Sequence, residues 1–206
     1  HTVIFEMNTD GTGLKQISRT PGNITGFKYF PTGDRILFTK DVKLNLVNSR
    51  ETDQDLPKSN ARVIDDLMYR HWGSWDNGER SHIFFAKLDN GQFQGRGTDI
   101  MDAENFDSPL KPFGGMEQIT ISPDGKTIAY TCKKKEGMQY AISTNSDIYL
   151  YDILMNTTHN FTKSNTGYDM NPVYSPDGKK LAWLSMEQDG FEADKNDIIV
   201  YDYETQ

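Results

Sequence analysis

Short apolar runs separated by glycine- and proline-containing turns recur along the chain, and no long stretch has the 3.6-residue period of a helix. Two segments match closely, 119–130 and 172–183, and each contains Ser-Pro-Asp-Gly-Lys flanked by β-branched and aromatic residues. Proline favours the first central position of a turn, aspartate the next and glycine the position with positive φ. The pattern therefore predicts β-hairpins that turn at 122–126 and 175–179.

Further strands follow the hairpins in the same order. The similar segments 147–152 and 197–202 are predicted as third strands, and 14–18 and 158–162 as outer strands. A degenerate copy of the hairpin lies at 27–38, and 80–88 supplies a strand for a divergent unit between the copies. Four antiparallel strands in every 40–50 residues or so are typical of a propeller blade.

The predicted fold class is therefore all-β, with β-propeller blades of four antiparallel strands built from WD40-like (PD40) repeats. The predicted units are 1–20 as the end of a blade, followed by 22–60, 62–103, 115–163 and 168–206. Because the chain begins and stops at third strands, we expect about four blades of an incomplete propeller. A complete small propeller and an open β-sandwich remain the alternatives. The end blades of a partial ring would expose apolar flanks and strand edges, which predicts self-association.

Composition narrows the function classes. The chain has 206 residues and a formal net charge of −8, so it has no general attraction for nucleic-acid phosphates. Its 11 Phe, 10 Tyr and 3 Trp indicate an ordered chain. No apolar run approaches the ~18 residues needed to cross a bilayer, so no membrane span is expected. The single cysteine, Cys132, rules out an intrachain disulfide and a Cys-rich zinc site. Because the chain begins inside a predicted strand, we interpret its start as a cut or processing boundary.

The sequence offers few catalytic candidates. It has no Gly-x-Ser-x-Gly nucleophile motif and no His-Glu-x-x-His pair. The four histidines are scattered without metal-ligand spacing. We therefore expect no catalytic residue, no metal site and no cofactor in this chain.

Segment 65–82 breaks the repeat and concentrates polar and aromatic side chains, including two Trp, one Tyr, two Arg and two His. We interpret it as a strand and loop that face a ligand or another domain, with aromatic platforms and charged anchors. The candidate binding residues are Arg70, His71, Trp72 and Trp75. The alternative is an ordinary blade whose Trp side chains fill the core and whose Arg and His are satisfied by neighbouring carboxylates.

Segment 185–196 is longer than a hairpin connection requires, and so is 132–146 in the preceding unit. Loops on a rigid scaffold are where binding groups concentrate. Four acidic residues would give the loop a negative field able to hold a cation such as a free ammonium: Glu187, Asp189, Glu192 and Asp194. The alternative is a solvated acidic loop.

These segments also resemble a known family, the prolyl oligopeptidase family of serine peptidases, in its N-terminal propeller. The resemblance is strongest to the branch of bacterial dipeptidyl peptidases and acylaminoacyl peptidases. It rests on Asp65-Asp-Leu-Met-Tyr-Arg-His-Trp72 with Arg80-Ser-His82, on Ser143-Thr-Asn-Ser-Asp147, and on Pro172-Val-Tyr-Ser-Pro-Asp-Gly178 followed by Gly190-Phe-Glu-Ala-Asp194. It spans most of the chain from Phe27 onward. Ser-Pro-Asp-Gly-Lys alone is less specific, because TolB-type propellers share it.

The resemblance implies a seven- or eight-bladed propeller that caps an α/β-hydrolase domain carrying a Ser-Asp-His triad. It implies that the propeller restricts access to short peptides and helps to anchor them, and that Glu192 and Asp194 bind or steer the substrate ammonium. Arg70, His71, Trp72 and Trp75 would then line the channel or the domain interface. The family branch also implies a periplasmic or otherwise extracytoplasmic location, with the cytoplasm as the alternative.

Two other classes remain open at this point. One is a TolB-like stand-alone propeller that binds protein partners, and the other is a carbohydrate-binding or lyase-type propeller. The reading frame beyond Gln206 distinguishes a TolB-like propeller from a serine peptidase of this family, because the peptidase requires a Gly-x-Ser-x-Gly motif downstream.

Overall fold

The computed structural model describes residues 1–205 and contains short strands joined by turns and a few long connections. In chain order the strands are β1 (Phe5–Glu6), β2 (Lys15–Gln16), β3 (Ile24–Tyr29), β4 (Arg35–Lys43), β5 (Arg70–His71), β6 (Ser74–Trp75), β7 (Glu79–Asp89), β8 (Gln92–Phe93), β9 (Thr98–Asp99), β10 (Ile119–Ile121), β11 (Thr127–Cys132), β12 (Asp147–Asp152), β13 (Thr157–Asn160), β14 (Asp169–Tyr174), β15 (Lys180–Ser185) and β16 (Asp197–Asp202). The helices are α1 (Ser49–Thr52), a 3-10 turn (Met116–Gln118) and α2 (Gly137–Ile142). The predicted lack of long helices is confirmed for residues 1–205.

The strands pair into antiparallel sheets that follow the chain. β1 pairs with β2, β10 to β13 form a four-stranded sheet, and β14 to β16 form a three-stranded sheet. A five-stranded sheet runs β3-β4-β7-β8, with β9 paired to β7. The predicted third strands are confirmed as β12 and β16, and the outer strands 14–18 and 158–162 correspond to β2 and β13.

The repeated motif forms the predicted turns. In the first copy, the Ser122 hydroxyl accepts hydrogen bonds from the amides of Lys126 and Thr127 and donates to Asp124 at 2.7 Å. In the second copy, the Ser175 hydroxyl accepts from the Lys180 amide at 2.9 Å and donates to Asp177. These side-chain bonds, with a glycine at positive φ, close each hairpin at the same point.

The five-stranded sheet differs from the unit boundaries expected between 22 and 103. β4 pairs with β7 without interruption from Arg35↔Lys87 to Lys43↔Glu79, so strands from the expected 22–60 and 62–103 units share one sheet. The physical reason is that the connection between them, residues 44–78, contributes no buried apolar side chain. Without such side chains it cannot form the core of a separate blade, and it is an insertion in one sheet.

Alternating side chains hold successive sheets against one another. In β11, Ile128 and Tyr130 join a cluster shared with Leu37 and Ile83 of the five-stranded sheet. Ala129, between them in sequence, faces the opposite way and packs against Leu181 and Trp183 of the three-stranded sheet. This two-residue period buries both faces of the four-stranded sheet, as expected for a sheet stacked between two others.

Cys132 lies at the end of β11, fully buried in the cluster between the five-stranded and the four-stranded sheets. Burial raises the pKa of its thiol far above the usual value, so little thiolate forms near neutral pH. We expect no reaction with Ellman's reagent at about pH 8 in the folded protein, and one reactive thiol per chain after denaturation. Exposed Ser74, replaced as Ser74→Cys, supplies a control that should react while folded. Rapid labelling of Cys132 in the folded protein would contradict this packing.

Candidate functional site

The long connections of the three larger sheets all lie at the same end of the stack. They join the second and third strands of successive sheets: 44–78, 133–146 and 186–196. In antiparallel sheets these connections leave from the end opposite the hairpins at 30–35, 122–127 and 175–180. Contacts tie the connections together, since Asp189 accepts hydrogen bonds from the Ser143 hydroxyl at 2.7 Å and the Thr144 amide at 2.8 Å.

A cavity of about 650 Å³ opens between two of these connections, 44–78 and 133–146. Its wall comes from the 44–78 insertion, from residues 105–111 and from the segment that precedes and begins α2. The titratable lining residues are Asp65, Asp66, His71, Asp76, Glu79, Asp107, Glu136, Arg62, Arg80, Lys111, Lys135, Tyr69 and Tyr140. Carboxylates outnumber cations in this set, so the cavity favours a ligand that carries positive charge.

The aromatic part of the cavity is built on the β5–β6 hairpin. The Trp75 ring stacks on Tyr69 with a centroid separation of 6.1 Å. Two guanidinium groups approach the same indole, Arg62 at 4.9 Å and Arg70 at 5.3 Å from its centroid. Such cation–π contacts orient an arginine without using its hydrogen-bond donors. The Arg70 Nε in addition donates to the Trp72 carbonyl at 2.7 Å, which holds the hairpin closed.

The structure brings together only some of the residues predicted in this segment. His71 and Trp75 line the cavity, whereas Arg70 and Trp72 do not. Trp72 is 75% exposed, and its ring meets Phe113 edge-on with centroids 5.2 Å apart. Trp72 thus lies on an exposed aromatic surface beside the cavity.

The acidic pair Glu192 and Asp194 lies on the 186–196 connection and does not line the cavity. The Asp194 carboxylate accepts from the backbone amides of Gln188 at 2.9 Å and Lys195 at 2.8 Å, so it holds its own loop in shape. Glu192 is exposed. Burial lowers the pKa of Lys133, and the charges of Asp189 and Glu192 oppose that shift.

Arg80 and His82 have structural contacts of the kind that the alternative interpretation of 65–82 expected. The Arg80 guanidinium donates two hydrogen bonds to the Asp76 carboxylate, at 3.0 and 2.9 Å. His82 is buried, with Nδ1 2.9 Å from Asp99 and Nε2 3.0 Å from the Glu104 carbonyl. The Arg80 side chain thus joins the insertion to β7, and the His82 side chain joins β9 to β7.

Sequence reasoning missed the far wall of the cavity. Burial raises the pKa of Asp107, while Lys111 and a hydrogen bond from the Ser81 amide oppose that change. Burial also raises the pKa of Tyr140 to about 12. The one sequence signal that could have found Tyr140 was the unusual length of the 132–146 connection.

Within residues 1–205, no cluster of three or more His, Cys, Asp or Glu side chains is arranged to hold a metal ion. None of the helices found there is long and apolar enough to cross a bilayer.

Comparison with known proteins gives the family. Dipeptidyl-peptidase 5 of Porphyromonas endodontalis is 45% identical over 185 residues, which is 90% of this chain and 26% of that protein. Dipeptidyl-peptidase 5 of Porphyromonas gingivalis is 45% identical over 184 residues, again 26% of its length. The chain thus spans about a quarter of these curated relatives. No family model matches it.

Solved structures agree on the fold. Uncomplexed acylaminoacyl peptidase of Pyrococcus horikoshii superposes with a TM-score of 0.61 at 11% identity, covering 97% of this chain and 27% of that one. The stacked antiparallel sheets therefore have the fold of a β-propeller region. The chain belongs to the prolyl oligopeptidase family of serine peptidases, and this prediction from its motifs is confirmed.

Proposed function

We propose that this chain is the non-catalytic propeller part of a dipeptidyl peptidase and controls the access of short peptides to a hydrolase domain elsewhere in the protein. The observation that carries the proposal is the cavity of about 650 Å³ at the end of the stack where the long connections meet. Its size is typical of sites for small ligands. Two relatives named Dipeptidyl-peptidase 5, each 45% identical, support the reaction class.

The opposite end of the stack carries the short hairpins, whose Asp124 and Asp177 side chains close their own turns. It also exposes Leu154 and Met155, and a second cavity of about 570 Å³ lies beside the turn at 89–96. We place a catalytic α/β-hydrolase domain against the end with the long connections, because that end carries the aromatic and charged side chains of the 650 Å³ cavity and exposes Trp72 and Phe113 beside it.

The test uses the full-length protein and chromogenic substrates of two kinds, dipeptidyl and N-acyl-aminoacyl. We expect dipeptide release that a serine-directed inhibitor abolishes. Release from N-acyl substrates alone would instead make the protein an acylaminoacyl peptidase. Absence of hydrolysis, together with a reading frame that ends without Gly-x-Ser-x-Gly, would favour the TolB-like scaffold.

We further propose that Glu192 and Asp194 serve the substrate ammonium in different ways. Glu192 is exposed and supplies negative charge directly, whereas Asp194 holds the loop through two backbone amides. Neither residue lines the cavity itself, but Asp189 of the same loop bonds Ser143 and Thr144 just after α2, so we place both at the approach to the cavity. Arg70 and Trp72 flank the same entrance, and His71 and Trp75 contact what enters.

Replacing Glu192 by glutamine is expected to lower kcat/KM for free-amine dipeptidyl substrates by about tenfold, because the negative charge that steers the ammonium toward the cavity is lost. Substrates with an N-acyl cap should lose nothing. Glu204→Gln, an exposed carboxylate at the hairpin end, serves as the matched control. Equal kcat/KM values for Glu192→Gln and the unmodified enzyme on free-amine substrates would remove Glu192 from the anchoring role.

Two other parts of the proposal have their own tests. β16 is the outermost strand of its sheet, and its Ile198 and Val200 side chains are exposed. This apolar strand supports contact with a further sheet, and in the isolated chain it supports self-association. Sedimentation of the 206-residue chain measures this self-association.

An extracytoplasmic location, implied by the family branch, is tested by cell fractionation.

A further inference from the structure

Arg62 and Lys135 are the two cations of the cavity wall that have no carboxylate partner within residues 1–205. The ion pairs of this wall use Arg80 and Lys111. Its Nε is buried without a hydrogen-bond partner, and its Nη2 makes only a long contact, 3.4 Å, with the Asn77 side-chain oxygen. A buried guanidinium nitrogen without a hydrogen-bond acceptor is incompletely compensated.

Two of the three neighbouring cations already pair with carboxylates. Arg80 is held by both oxygens of Asp76. Lys111 lies 2.9 Å from Asp41 and 3.4 Å from Asp107. Lys135 also lines the cavity, but it is a flexible ammonium without an aromatic support. Arg62 is therefore the cation of this wall that an aromatic ring holds in place and that has no carboxylate bound to its N–H donors.

The contact with Trp75 prepares Arg62 for a planar anion. The guanidinium carbon lies 4.9 Å from the indole centroid. Contact with an aromatic ring does not use the in-plane N–H donors of a guanidinium, and those donors match the two oxygens of a carboxylate. The opposite charge is also present, because Asp65 and Asp66 line the same cavity.

We propose that Arg62 binds the C-terminal carboxylate of a short peptide, while the lining carboxylates, Asp65 and Asp66 among them, receive its ammonium. The ligand class is thus a zwitterionic peptide of a few residues, for which a cavity of about 650 Å³ is large enough. This inference rests on the proposed function, since it takes the ligand to be a peptide. It adds that the cavity distinguishes a free C-terminus from a blocked one.

The test is calorimetric titration of the full-length protein with two probes, the tripeptide Ala-Phe-Gly and its C-terminal amide. Both carry an N-methylated second peptide bond so that they are not consumed. We expect the free acid to bind about tenfold more tightly than the amide, and Arg62→Gln to abolish that difference by weakening the acid alone. Arg50→Gln is the matched control, because Arg50 is an exposed arginine of the same insertion that does not line the cavity.

The binding measurements test the carboxylate site at Arg62 independently of the proposed peptidase function. Equal affinity of acid and amide for the unmodified protein overturns it, as does an acid preference that survives Arg62→Gln. A substitution that merely disturbed the insertion would weaken both probes alike, and that result also counts against a carboxylate site. Because the probes are not cleaved, peptidase activity is judged independently by dipeptide release: activity without acid preference contradicts the role of Arg62 alone.

Discussion

Replacing Phe38 by alanine is expected to lower the free energy of unfolding by about 3–5 kcal/mol, the usual cost of truncating a fully buried phenylalanine. Phe38 in β4 is 0% exposed and packs on two other rings, Phe84 at 5.4 Å and Phe93 at 5.3 Å between centroids. The three rings join strands of the five-stranded sheet and face the β1–β2 pair. Loss of the central ring leaves a cavity that its rigid neighbours cannot fill. Urea unfolding followed by intrinsic fluorescence measures the change.

The control is Phe113→Ala, which removes the same side chain from a position that is 73% exposed. Its expected effect is within about 0.5 kcal/mol, the normal range for a surface substitution. If both variants unfolded at the same urea concentration, the cluster around Phe38 would not be the core that binds these strands.

Replacing Gly78 by alanine is expected to open the base of the 44–78 insertion and deform the cavity. Gly78 has φ +71°, and an added Cβ would overlap the Asn45 carbonyl oxygen. The Gly78 carbonyl accepts hydrogen bonds from the amides of Leu44 at 2.9 Å and Asn45 at 3.1 Å. The positive φ alone costs about 1–3 kcal/mol for a residue with a side chain, and the overlap adds to this. The variant should show faster amide exchange at Leu44 and Asn45, and weaker peptide binding.

Gly73→Ala provides a matched control within the same insertion. Gly73 has no positive φ, and its Cβ would meet no atom within 4 Å. We expect its amide exchange and ligand affinity to stay at the values of the unmodified protein. Equal protection of the Leu44 and Asn45 amides in the Gly78 and Gly73 variants would show that these hydrogen bonds do not close the insertion.

Much of the fold could be predicted because the hairpin motif is local. Ser, Pro, Asp and Gly at 122–125 specify a turn through bonds within a few residues, and the copy at 175–178 repeats them. The pairing of β4 with β7 could not be predicted in the same way. It joins strands separated in sequence by the whole 44–78 insertion, and no local sequence pattern specifies which strands pair over such a distance.

The candidate site was predictable in part for a related reason. Trp75 and His71 stand out in sequence because they interrupt the repeat, and both line the cavity. Asp107 and Tyr140 do not stand out, because they reach the cavity only when two sheets stack. Glu192 and Asp194 are distinct in sequence, but a carboxylate's role depends on what its oxygens accept, and for Asp194 these are amides of its own loop.

The division of the stack into a hairpin end and a connection end has a practical consequence. A Cβ added at Gly33, in the hairpin between β3 and β4, would meet no atom within 4 Å. This hairpin lies as far along the strands from the cavity as the five-stranded sheet allows. A fluorophore or a surface tether attached beside Gly33 would therefore immobilise or report on the protein while leaving the mouth of the cavity unobstructed.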